Sequence, residues 1–208
     1  METRENAGWK ITILVFLLLL GGFCAVMIPA TVTALQDGDY TFTLSGNDAT
    51  IIGYTGHGEA ITIPTWVSSD CNVVAIGAYA FLGNENITSV TMGAYVTTIG
   101  AYAFYNCTKI TSVEIPMGVT TIEAGAFSHC PKLTTITVAG GNSIYANQDD
   151  GVLYNKANTT LIQYPGGKAG AFAVPNSVTS IGDSAFEACT SLTSVSIPAS
   201  VTSIGDYA

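Results

Sequence analysis

The chain has 208 residues, of which 48% are hydrophobic and only 10% charged, and its 15 acidic and 6 basic residues give a net charge of −9. Globular domains carry about 25% charged residues, so small polar and apolar positions dominate here. Nothing supplies the basic patch a DNA or RNA partner requires.

The first element in chain order is apolar. Ile11–Ile28 contains no charge and follows Arg4 and Lys10. Val32-Thr33-Ala34 suits signal-peptidase cleavage after Ala34. An uncleaved signal anchor is the rival reading, because the run approaches the ~18 residues that span a bilayer. Both readings hold the basic end in the cytoplasm and send the remainder outside. Residues 1–34 are therefore expected to be a signal peptide or signal-anchor helix. The protein is expected to be secreted or at the cell surface, touching a membrane only through this segment if it is retained. Cys24 follows Phe23 and is not read as a lipid anchor.

A 23-residue phrase then repeats. Its clearest copies are VTTIGAYAFYNCTKITSVEIPMG (Val96–Gly118) and VTSIGDSAFEACTSLTSVSIPAS (Val178–Ser200). Copies open at Val73, Val96, Val119, Val178 and Val201, spaced by 23 residues except for one step of 59. A fixed period in this range marks a solenoid whose units bury their faces only against neighbours. Counting from the opening Val, position 4 is always Ile and position 8 always Ala. Position 9 is Phe81, Phe104, Phe127 and Phe186, and position 15 is Ile or Leu. Positions 18 and 20 are apolar between polar neighbours, the period of a strand. Val-Thr-Ser-Ile is rich in β-formers as well, and Pro116 and Pro198 stand where a missing N–H does least harm. Each coil thus reads as strand, Ala-Phe turn, strand and Pro turn. A mostly β solenoid with parallel sheets is expected, with a short helical or 3₁₀ turn near Ala-Phe.

The recurring IG-x-x-AF, C-T-x-L and S-x-IP elements over Val73–Ala208 resemble the BspA-type, or treponemal-type, leucine-rich repeat. The resemblance implies a surface or secreted protein, since members of that family are mostly cell-surface or secreted proteins and several are similar to adhesins. Tyr40–Asp70, with YTFTLSGNDATIIGYTGHGEAITIP, resembles the strand-rich entry segment common in that family. Residues 35–72 are accordingly assigned to a capping segment and 73–208 to the solenoid.

The 59-residue step leaves 36 extra residues after Ala139. Within this insert, at about 140–175, the apolar runs Gly151–Tyr154 and Leu161–Tyr164 flank a polar turn, which reads as a β-hairpin. It also resembles the family's DGVLYN…LIxYP variant. Tyr145, Tyr154 and Tyr164 either offer a binding site on a protruding insert or cap the core. Asn147–Gly151 lacks the twelve-residue ligand spacing and closing Glu of a calcium loop, so it reads as an Asp-Gly turn. No metal or cofactor is expected.

Cys107, Cys130 and Cys189 share position 12, where the first copy has Asn84. Either they form a buried ladder of free thiols, or Cys107 and Cys130 bridge adjacent rungs, whose spacing falls within the permitted Cα separation of about 4.4–6.8 Å. No C-x-x-C pair supports zinc or thioredoxin chemistry. Stacking would bury Cys130 and turn His129 outward, and a thiol–imidazole pair needs one shared cleft. No G-x-S-x-G, H-E-x-x-H or phosphate-binding glycine motif occurs. The chain is therefore read as a non-enzyme.

What remains is a hydroxyl-lined sheet face: Thr88, Thr91, Thr111, Glu114, Thr134, Thr137, Thr193 and Ser196 at positions 16 and 19. Solenoids bind through such surfaces, although Thr is also a soluble β-favouring filler. Tyr79, Tyr102 and Tyr207 mark position 7 at an edge. Asn86, Asn106 and Asn158 head Asn-x-Thr triplets, which accept glycans in exported proteins and also arise by chance in a Thr-rich chain. The leading functional reading is an adhesion module for an extracellular protein or glycan. The alternatives are a structural spacer without a ligand, an ice-binding Thr face, and an enzyme with an unseen site. The last copy reaches only position 8 at Ala208. The chain is therefore expected to be a piece of a longer array with an uncovered face at Val201 and Ile204.

Overall fold

The computed structural model describes residues 34–67, 71–148 and 151–208. The leader reading of residues 1–34 falls almost wholly outside them, as do Asp149 and Asp150 of the acidic turn. Every element among the described residues is a strand. None is a helix long and apolar enough to cross a membrane.

The chain before Cys71 forms β1 (Leu35–Asp37), β2 (Tyr40–Ser45), β3 (Asp48–Tyr54), β4 (Ala60–Thr62) and β5 (Trp66–Val67). β1, β2 and β3 make an antiparallel meander whose turns use Gly38 and Gly46 at positive φ. Phe42, Ala49 and Ile51 point inward from it and are fully buried. β3 then pairs in parallel with the strand that opens the first copy of the repeat.

The first array contains β6 (Cys71–Ile76), β7 (Ser89–Thr91), β8 (Thr98–Ile99), β9 (Ser112–Ile115), β10 (Thr121–Ile122) and β11 (Thr135–Val138). One sheet runs β1-β2-β3-β6-β8-β10, with β5 on β6, and a second runs β11-β9-β7-β4. Ile76, Ile99 and Ile122 align across one sheet, and Val90, Val113 and Ile136 across the other. Like residues therefore stack every 23 positions, as the repeat requires. Phe81, Phe104 and Phe127 stack between the sheets at centroid distances of 4.8 and 5.6 Å, with 9° between planes at each step.

The Ala-Phe segment is not helical. Positions 7 and 11 take left-handed φ in successive copies: Tyr79 and Gly83, Tyr102 and Asn106, Gly125 and His129, Ser184 and Ala188. A left-handed residue cannot sit inside a right-handed helical run. The segment closes instead as separate turns, with Ala80 N–H donating to Gly77 O and Leu82 N–H to Tyr79 O. The alternate amides, on Tyr79, Phe81 and Gly83, donate to Ala101, Ala103 and Tyr105 of the next rung.

The insert forms β12 (Tyr145–Asn147), β13 (Leu153–Asn155) and β14 (Thr160–Gln163), an antiparallel meander that includes the expected hairpin. The second array follows as β15 (Gly170–Ala173), β16 (Ser180–Ile181), β17 (Leu192–Ser196) and β18 (Ser203–Ile204). β14, β16 and β18 pair in parallel, as do β15 and β17. The insert thereby becomes a rung of its own. Leu161 aligns with Ile181, Tyr164 contacts the ring of Phe186, and Tyr164 N–H donates to Ala185 O as Phe81 N–H does to Ala103 O. Tyr164 thus stands in the Phe position. It lies three residues after Leu161, whereas each repeat spends five between its Ile and its Phe. The insert rung therefore lacks the bulging turn. The core divides at this seam, with Leu153 in the first buried cluster and Val152 in the second, because neighbouring strand residues face opposite ways.

Candidate binding surfaces

Most threonines of the hydroxyl face are tied to the rung before them. At position 16 the hydroxyls donate along the stack. Thr88 donates to Glu59 O at 3.0 Å, Thr111 to Thr88 O at 3.4 Å and Thr134 to Thr111 O at 3.3 Å. Position 2 repeats the device through Thr97, Thr120, Thr179 and Thr202. These threonines lock each rung to its predecessor, so their donors are occupied. At position 19, Thr91, Glu114 and Thr137 are exposed and lie in one sheet, with Thr137 directly beside Glu114 and its hydroxyl donating to Val113 O at 3.3 Å. Thr193 and Ser196 are exposed too, but they belong to β17, which pairs with β15 in a separate sheet. The seam therefore divides the face expected from sequence.

The insert tyrosines offer no surface. Tyr145, Tyr154 and Tyr164 are all buried, which corrects their reading as insert contacts. Tyr145 plugs the edge of the first sheet: its hydroxyl accepts from Ile122 N–H at 2.7 Å and donates to Thr120 O at 3.3 Å. Asn142 does similar work. Its amide donates to Pro116 O and Val119 O, and its oxygen accepts from the Ile144 and Tyr145 amides. Buried backbone groups at the broken ladder thus find partners.

The cysteine ladder consists of free thiols. Cys107, Cys130 and Cys189 donate from Sγ to Phe81 O, Phe104 O and Tyr164 O of the preceding rung. Asn84, at the same position, accepts from Asn86 N–H and Ile87 N–H within its own turn. Burial pushes all three thiols up to about 12, which suppresses the thiolate that nucleophilic or metal-binding chemistry uses. Among the described residues no group of three His, Cys, Asp or Glu is placed to hold a metal. His57 is exposed at the rim of an open groove of about 590 Å³ beside Tyr54 and Tyr79. Of the three triplet asparagines, Asn106 is exposed, while Asn86 and Asn158 are half-buried.

One cluster was not legible from spacing. Because the insert rung has no bulging turn, the turns on either side of it meet. Ser128 Oγ donates to Ser184 O at 3.4 Å, and His129 Nε2 lies 3.4 Å from Glu187 Oε1. Tyr105 packs on His129 at 4.5 Å and edge-on to Tyr102 at 5.5 Å, and Tyr102 stacks on Tyr79 at 5.5 Å. An aromatic strip therefore runs along the turn edge to a carboxylate from the second array. His129 and Glu187 lie 58 residues apart, and no within-repeat pattern pairs them.

Comparison with known proteins agrees with the geometry. The family described as BspA type leucine rich repeat region matches residues 59–165 and 166–208, in six copies. Among solved structures, a leucine-rich repeat protein from T. pallidum is 22% identical, with a TM-score of 0.54, over 83% of this chain and 86% of that one. A leucine-rich cell-surface protein from Faecalibacterium prausnitzii is 27% identical, with a TM-score of 0.40, over 83% and 72%. A leucine-rich repeat protein from Eubacterium ventriosum is 23% identical, with a TM-score of 0.45, over 81% and 66%. This chain thus spans about two thirds of the Eubacterium protein. No curated protein matches the sequence.

Proposed function

From the chain's membership of the BspA-type leucine-rich repeat family, we propose that it is a non-catalytic, cell-surface or secreted binding protein that engages an extracellular protein or glycan. The observation that carries this reading is the exposed column Thr91, Glu114 and Thr137 on a sheet whose rungs are locked by the position-16 threonines. A locked sheet holds the column without a further ordering cost on binding. The Thr91 hydroxyl supplies a donor, and the Glu114 carboxylate and the Thr137 oxygen supply acceptors, that suit sugar hydroxyls or peptide groups. Export supports the same reading, since the charge-free run Ile11–Ile28 follows Arg4 and Lys10.

The test is a binding screen of the full chain against matrix proteins, glycan arrays and whole cells. It is followed by the triple variant Thr91→Ala, Glu114→Ala, Thr137→Ala. Loss of binding is expected with at most about 1 kcal/mol of stability lost, from the Thr137 hydroxyl that donates to Val113 O. A screen without a single saturable ligand would defeat the proposal in favour of a spacer role. Binding that survives the triple change would move the site elsewhere.

A further inference from the structure

Position 7 carries tyrosine in three copies, Tyr79, Tyr102 and Tyr207, but Gly125 and Ser184 in the two copies nearest the seam. The tyrosine ladder therefore has a gap, with rings on both sides. Tyr102 leans over Gly125, and a cavity of about 350 Å³ lies along this edge, lined by Tyr79, Leu82, Tyr102, Tyr105, Glu187 and Tyr207. Among the described residues, Glu187 is the one charged group lining it, and no lysine or arginine does. Glu187 Oε1 faces His129, whereas Glu187 Oε2 is buried and has no hydrogen-bond partner. That oxygen is closed to solvent, but the Glu187 side chain is 23% exposed and brings its charge to the cavity wall.

We propose that this cavity receives an arginine side chain presented by a protein partner. Tyrosine rings attract cations through their electron-rich faces. Arginine satisfies this cavity better than lysine, because a planar guanidinium stacks on rings while its N–H fork reaches a carboxylate. Leu82 is 54% exposed beside the rings and gives the methylene stem an apolar rest. The net charge of −9 draws a basic partner from a distance. The Tyr105 phenol is held above its ordinary value by desolvation and then by the Glu187 charge, which fits a negative field in the cavity. The site lies on the turn edge, away from the Thr91–Thr137 column. Failure of either surface therefore leaves the other standing.

The test titrates the full chain with the tripeptide acetyl-Gly-Arg-Gly-amide, followed by NMR, beside its citrulline and lysine counterparts. Shifts are expected at Tyr102, Tyr105, Glu187 and Tyr207. The arginine peptide is expected to bind about fivefold tighter than the citrulline peptide, and tighter than the lysine peptide. Glu187→Gln should weaken it about fivefold. Tyr207→Ala, at a ring 81% exposed, should weaken it about threefold without touching the core. Equal binding of arginine and citrulline, tighter binding of lysine, or indifference to both substitutions would overturn the proposal.

Discussion

Phe104 and Phe186 occupy the same place in the repeat and pack differently. Phe104 is fully buried between Phe81 and Phe127, with planes 9° apart on each side. Phe186 is half-buried and meets Tyr164 at 31° and Phe172 at 54°. The strand positions differ in the same way. Val113 and Ile115 are buried at 1% and 0%, whereas their equivalents Val195 and Ile197 are 38% and 49% exposed. β9 has parallel neighbours on both sides, while β17 has β15 on one. Similar phrases are thus buried in proportion to the in-register neighbours they have among the described residues, as a one-dimensional array requires.

The largest expected effect breaks this contrast at the rings. Phe104→Ala should cost about 3–5 kcal/mol, the range for deleting a fully buried aromatic. Phe186→Ala should cost about 1–2 kcal/mol, in keeping with a ring only partly removed from water. Urea denaturation of the two variants measures the difference, and equal losses would refute it. Next comes the join between the arrays. Tyr145→Phe strips the partner from Ile122 N–H and Thr120 O, and should cost about 1–3 kcal/mol while leaving near-UV signals of the Phe stack unchanged.

The thiols sharpen the comparison through pH. Burial, the largest cause, pushes Cys107 and Cys130 up to about 12 from an ordinary value near 9. The unfolded chain loses these protons from about pH 9, while the folded chain keeps them. Stability is therefore full below pH 9 and falls as pH rises toward 12, by at most about 1.4 kcal/mol per thiol and pH unit. Melting scans at pH 8 and pH 10 check this, and Cys130→Ala should flatten the slope. Iodoacetamide should also label half-buried Cys189 before buried Cys107 and Cys130. The smallest effect is at position 11. Ala188 holds φ +56° where the first copy has Gly83, so Ala188→Gly should stabilise by about 0.5 kcal/mol. A thermal melt showing destabilisation would contradict the strain reading.

Much of the fold is readable in the phrase itself. Ile99, Ala103, Phe104, Cys107 and Ile110 recur at fixed intervals, and each is fully buried. A residue that stacks on its own equivalent must repeat its size and polarity. The Ala-Phe turn was less legible. Left-handed φ normally announces itself as glycine, yet Tyr102, Asn106 and Ser184 hold it here. The hydroxyl face was half legible: alternation places Ser89 and Thr91 on the polar face but says nothing of Thr88, which lies before the strand and donates to Glu59 O, while Thr91 stays exposed. The insert tyrosines were ambiguous because Tyr154 and Tyr164 carry both an apolar ring and a polar tip.

The amino-acid sequence by itself determined the solenoid, its register and its stacked core, because each rung repeats one local pattern and meets only its neighbours. Tertiary structure alone decided which threonines are spent as clamps, that the insert becomes a rung with Tyr164 in the Phe position, and that Glu187 meets His129. Those contacts depend on the shortened turn after Leu161, which brings two distant turns together. Periodicity describes what a rung shares with the next, and the seam is where adjacent rungs differ.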